Sequence, residues 1–161
     1  MAGPSRPSRL PPRRRPAPEP EPGPRHQARE AALQVLYALD CANTLEVSSA
    51  DEALRNYWSY LDGPAPGRPY GEALVFGVLK EREALDDAIR AANPKWRLER
   101  MSRVDRNILR VAAWELLYNP EVAPAVALNE AVELAKGFGA EDASAFVNGT
   151  LDQLARQQKK L

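Results

Sequence analysis

"RVDRNILRVAAWELLY", residues 103–118, is the stretch that decides the fold. Its apolar residues Val104, Ile108, Leu109, Val111, Ala112, Leu116 and Leu117 fall almost all round a helix at 100° per residue. A helix that is apolar on nearly every side belongs in the middle of a bundle. Ser102 stands just before it with Asp105 three residues on, the spacing of an N-terminal capping box.

Downstream, Pro120 and Pro124 bracket a turn, and Pro124 suits the first position of the next helix, "AVALNEAVELAK". That helix is expected to stop where Gly137 can supply a left-handed C-cap. In "GFGAEDASAFVNGTLDQL" (137–154), Ala143, Val147, Thr150, Leu151 and Leu154 again keep helical spacing. Gly149 interrupts this last helix, although an interior glycine costs about 1 kcal/mol relative to alanine. Phe146 lies well off the stripe, with Asp142 and Gly149 further round the same flank. Two readings fit a missing side chain there. A neighbouring helix packs closely against Gly149, or a ligand approaches a surface made of Phe146, Asp142 and the backbone near 137–139.

Upstream, Asn93-Pro94 ends a long helix expected from about Tyr70 to Ala92, with Leu74, Val78, Leu85 and Ile89 inward. "KWRLE" (95–99) reads as a short helical turn and "DGPAPGRP" (62–69) as a loop. Ser49 and Glu52 have capping-box spacing ahead of Leu54, Tyr57, Trp58 and Leu61. In "RHQAREAALQVLYALD" (25–40), Ala28, Ala31, Ala32, Val35, Leu36 and Leu39 share one face. Beside that stripe come Arg25, His26, Arg29, Leu33 and Tyr37. Basic side chains next to an aromatic ring suit single-stranded RNA, which needs phosphate neutralisation and a stacking surface. An edge tyrosine also serves packing alone. No stretch alternates with period two, so the fold class is all-α, with five long helices and one or two short ones.

The 161 residues are 44% hydrophobic and 27% charged, ordinary for one soluble globular domain. No apolar run approaches the roughly 20 residues that span a bilayer, and no secretory signal opens the chain. The lone cysteine, Cys41, excludes an internal disulfide and fits a reducing, cytoplasmic setting. The net charge of zero hides an asymmetry. Residues 1–24 carry nine of the fifteen prolines, five arginines and two glutamates, so that tail is +3 and the remainder about −3. With nothing to bury, the tail is expected to be disordered, serving as a solubilising extension or as an arm attracted to nucleic acid.

Enzyme chemistry finds little support. The only histidine is His26, Cys41 has no histidine partner, and "GFG" has only two of the glycines of a GxGxxG motif.

"RVDRNILRVAAWELLY" followed by "VALNEAVELAKGFGAEDASAFVNGTLDQLA" resembles the NusB family of bacterial transcription antitermination factors. The likeness covers nearly all of residues 25–156. It rests on Asn129-Glu130-Ala131, Leu134-Ala135, Lys136, Phe138-Gly139 and Phe146-Val147-Asn148-Gly149, and on Ala28-Arg29-Glu30, Gln34 and Leu36-Tyr37. Two departures stand out: Arg25-His26-Gln27 replaces the family's arginine run, and the Pro/Arg tail lies outside the shared domain.

The resemblance implies an all-helical RNA-binding domain over 25–158, built of two small helical subdomains meeting near residues 92–102. It implies binding of boxA-type single-stranded RNA from ribosomal RNA leaders together with NusE, the small ribosomal subunit protein. Other Nus factors and RNA polymerase complete the assembly, with no cofactor, metal or membrane. Residue by residue, it assigns RNA contact to Arg25, His26, Arg29 and Tyr37 on the first helix, and to Phe138, Asp142, Phe146 and Gly149 near the Gly-rich loop. Two other readings are a helical protein–protein module without an RNA role and a relative of the domain fronting ribosomal RNA cytosine methyltransferases. A chain running from Met1 to Leu161 is expected to leave no room for a catalytic domain.

Overall fold

The computed structural model describes residues 23–61 and 65–159. Among the described residues seven α-helices follow one another: α1 (Pro24–Cys41), α2 (Ala50–Ser59), α3 (Arg68–Lys80), α4 (Arg82–Ala92), α5 (Arg103–Tyr118), α6 (Pro124–Phe138) and α7 (Ala143–Gln157). Single 3₁₀ turns lie at Val47–Ser49 and Leu98–Arg100, and no strand occurs among the described residues. The chain is all-α, as its periodicity requires. The disorder expected of the tail falls on residues outside those described, apart from Gly23 and Pro24. Pro24 already belongs to α1, where its fixed φ suits the first turn.

α5 is the central element, packing against α1, α3, α4, α6 and α7. Ile108, Leu109, Val111, Ala112, Ala113 and Leu116 are buried on it, which accounts for an apolar residue on nearly every side. Three polar residues, Asn107, Arg110 and Glu115, are buried there as well. Each has a partner, as burial demands. Arg110 grips Asp86 of α4 at 2.8 and 3.2 Å, and Asn107 donates to Asp40 of α1 at 2.8 Å. Arg106 closes on Asp40 at 2.6 and 2.7 Å, so one buried carboxylate ties α1 to α5. Burial alone would raise the Asp40 carboxyl. The hydrogen bonds from Arg106 and Asn107 and the charges of Arg106 and Arg110 outweigh burial and hold it below the usual carboxylate range.

Several local expectations change. The long helix expected over 70–92 is two helices broken at Glu81. α4 packs on α5 and α7, whereas α3 packs chiefly on α1 and also on α5. The Ser102 cap is present, its hydroxyl accepting from the Asp105 N–H at 3.0 Å, but Ser49 makes no side-chain cap for α2. Gly137 is helical, and α6 ends two residues later than expected, with Gly139 as an extended C-cap (φ −95°, ψ 179°). A Cβ on Gly139 would stand 2.6 Å from the Cβ of Ala143 and 2.9 Å from the Ala135 carbonyl oxygen. Only glycine lets the α6–α7 turn close that tightly.

Candidate nucleic-acid interface

The predicted site residues fall into three places. At the start of α1, Arg25 pairs with Glu121 at 3.1 Å and lies 4.8 Å over the ring centroid of Tyr70. His26 sits between Glu130 at 2.8 Å and Glu30 at 3.4 Å. Arg29 is buried, and its Nε donates to both oxygens of Glu115 at 3.0 and 2.9 Å. The same carboxylate accepts from the Tyr70 hydroxyl at 2.5 Å. Burial pushes that hydroxyl's pKa up, and Glu115 raises it further, so it stays protonated.

Arg29, assigned RNA contact from the sequence, is placed by the structure in an ion pair within the bundle. Its flank of α1 is covered by α5 and α6, and its charge is spent on Glu115 and Glu130. What it does is fix α1 against α5.

Tyr37 lies twelve residues beyond Arg25 on α1, about 18 Å along the axis. The aromatic ring beside the basic cluster is Tyr70, not Tyr37. Tyr37 instead borders a cleft of about 340 Å³ with Phe138, Leu33, Gln34 and Val104. Both rings are substantially exposed, Tyr37 at 42% and Phe138 at 40%.

Asp142 and Phe146 line a second cleft of about 170 Å³ with Trp96, Arg100, Met101 and Asp105. The two clefts are neighbours: Val104 borders one and Asp105 the other, and Phe138 and Asp142 flank the short α6–α7 turn. Phe146 is half-buried, and its ring meets that of Trp96 edge to face, centroids 6.1 Å apart at 81°. Arg100 adds a cation beside these rings, so this cleft holds the pairing of charge and aromatic surface that single strands use.

Sequence reasoning missed three contributors here. Trp96 is 56% exposed, and its signal was an indole set among cations in "KWRLER". Arg100 carries the same signal. Asp105 is a helix cap by its spacing, yet its Oδ1 is buried without a hydrogen-bond partner. Burial pushes the Asp105 carboxyl up, the Ser102 contact pulls it down, and the negative charge of Asp142 adds to the rise.

Gly149 faces open space: a Cβ there would meet nothing within 4 Å. The reading in which a neighbouring helix packs on this glycine is therefore excluded within the described chain. The flank is free for a body from outside.

Among the described residues no helix is long and apolar enough to cross a membrane. The NusB family model matches residues 26–156. Transcription antitermination protein NusB of Sorangium cellulosum (strain So ce56) is 50% identical over 133 residues, which cover 83% of this chain and 92% of that protein. T. maritima NusB superposes with a TM-score of 0.72 at 29% identity, over 86% of this chain and 96% of that one. A chain from a crystal structure of the antitermination factors NusB and NusE in complex with double-stranded RNA gives 0.72 at 25% identity, over 83% and 97%. Sequence likeness across the folded region and the shared helical architecture lead to one conclusion: the chain belongs to the NusB family.

Proposed function

We propose that the chain is a non-enzymatic RNA-binding adaptor of transcription antitermination. It binds boxA-type single-stranded RNA together with NusE in the cytoplasm, and joins other Nus factors on RNA polymerase so that terminators are read through. The observation that carries this reading is the pair of adjoining clefts around the N-terminus of α5. One holds Phe146, Trp96, Arg100 and Asp142, and the other Tyr37 and Phe138. The first offers stacking and charge to a strand. The second, more apolar, offers a protein partner an adjoining surface.

In this reading residues 25–158 form the RNA-binding domain. Phe146 stacks a base, Asp142 supplies a polar contact, and the open flank at Gly149 admits the strand. Arg25 and His26 border the path at the start of α1, while Arg29 holds that helix in place. The Pro/Arg tail adds phosphate contacts.

The test is an anisotropy titration with boxA RNA and with a scrambled RNA, each with and without NusE. NusE is expected to tighten boxA binding and to leave the scrambled RNA weak; equal affinity for the two RNAs in its presence overturns the reading. Removing residues 1–22, which spares the start of α1, should flatten the log–log salt dependence by about 0.7 for each phosphate that the tail had neutralised.

A further inference from the structure

Trp96 stands between two clefts. On one side is the cleft of Asp142 and Phe146; on the other is a cleft of about 390 Å³ lined by Arg90, Asn93, Arg97 and Glu99 among others. The segment that carries the indole is held firmly. Leu98 and Met101 are buried beneath it, the Trp96 N–H donates to the Asn93 carbonyl at 3.1 Å, and the Asn93 amide donates to the Thr150 hydroxyl of α7 at 2.9 Å. Arg90 bridges back to Glu99 at 3.3 Å. An exposed indole on so fixed a support is pre-organised to receive something flat.

The ring geometry separates two receiving surfaces. Trp96 and Phe146 meet at 81°, so a base lying flat on one ring cannot lie flat on the other. The charge around them suits a polyanion. Residues 95–100 hold Lys95, Arg97 and Arg100 against Glu99 alone. Asp105 and Asp142 line the Phe146 cleft and Arg103 turns to Asp40 at 3.8 Å, so the cationic side of the indole is the one toward Arg97. Arg100 borders the Phe146 cleft and Arg97 the cleft beyond.

We propose that Trp96 is a second base-stacking surface, distinct from Phe146, and that it carries a single strand from the Phe146 cleft onward into the cleft of Arg90 and Arg97. This rests on the RNA-binding reading above and lengthens its footprint by at least one nucleotide at a defined end of the strand.

The test uses the full chain with NusE and a series of boxA-type RNAs shortened one nucleotide at a time from either end. Proteins compared are wild type, Trp96→Ala, Trp96→Phe and Phe146→Ala, each first checked for an unchanged helical circular dichroism spectrum. Trp96→Ala should weaken the longest RNA roughly tenfold, within the range for one stacked base, whereas Trp96→Phe keeps most of the affinity. Shortening one end should cost the wild type about the same factor and cost Trp96→Ala nothing further. Three results overturn the proposal. Trp96→Ala binds every RNA as tightly as wild type; it is weakened equally at every length, making the indole only a prop for Phe146; or it loses NusE binding without RNA, making the surface a protein contact. Loss at Trp96 without loss at Phe146, or the reverse, separates failure of this proposal from failure of the Phe146 site.

Discussion

Replacing Gly149 with alanine should strengthen the free protein and weaken its complexes. The glycine is the seventh of fifteen residues in α7, well inside the helix. Its added Cβ would meet nothing within 4 Å, so no steric cost opposes the change. The intrinsic preference of a helix interior for alanine over glycine, about 0.8–1.0 kcal/mol, is then expressed almost in full. For a chain of this size that gain raises the melting temperature by about 3 °C. Urea denaturation should show a higher midpoint at an unchanged m-value, because the surface exposed on unfolding hardly alters.

The bound state should respond with the opposite sign. If an RNA strand or NusE comes within contact distance of this flank, the methyl group occupies space the partner needs, and overpacking of that kind costs about 1–3 kcal/mol. The assay is therefore a pair of measurements on one variant: midpoint and m-value for the free chain, then boxA affinity with NusE. A stabilised protein with unaltered binding would show that nothing approaches Gly149, and the reason given for tolerating a glycine there would fail. A variant that gains no stability would mean that α7 does not run unobstructed through residue 149.

Arg29→Ala should cost about 3–5 kcal/mol of folding stability by urea denaturation, because it strands the buried carboxylate of Glu115; a loss below about 1 kcal/mol would show that the pair is not buried. Asp40 has its pKa depressed in the folded state, so its contribution is fully present above the unfolded value near 4 and is lost as pH falls through the folded value. Stability measured against pH should thus be flat in this contribution from 7 to 5 and decline below about 4. Asp40→Asn should lower stability at pH 7 and flatten that acid limb; a limb of unchanged steepness would assign the acid sensitivity to other carboxylates.

The bundle was legible because its central helix advertises itself. Apolar residues all round 103–118 leave no surface position for α5, and the structure surrounds it with five other helices. What periodicity could not mark is the break at Glu81. Leu74 and Val78 of α3 and Leu85 and Ile89 of α4 keep one helical phase across it, so the pattern reads as a single helix although the backbone turns. Nor does a single sequence display the partners of Asn107, Arg110 and Glu115. Asp40 and Arg29 are 67 and 86 residues away from Asn107 and Glu115 along the chain, and only the tertiary fold brings them together.

The same limit explains the uneven reading of the site. A helical wheel places Phe146, Asp142 and Gly149 on one flank of α7 and Arg29 and Tyr37 on one flank of α1, but it does not say which flanks another helix covers. On α7 nothing lies over Gly149 and the flank stays open. On α1 the outcome changes along the helix: α5 and α6 cover Arg29 and leave Tyr37 exposed at the rim of a cleft. Two residues read together from the sequence, about 80° apart round the helix, thus become a structural ion pair and a surface aromatic. Trp96 escaped for a related reason, since it sits just before a 3₁₀ turn with no period to analyse. Leu98, the first residue of that turn, and Met101, just after it, take the inward positions, while Trp96 stays exposed. Charge composition was the one local clue, four cations against one anion over residues 95–103. An exposed indole in such a run is the feature on which the proposed stacking role rests, and the Trp96→Ala titration decides it.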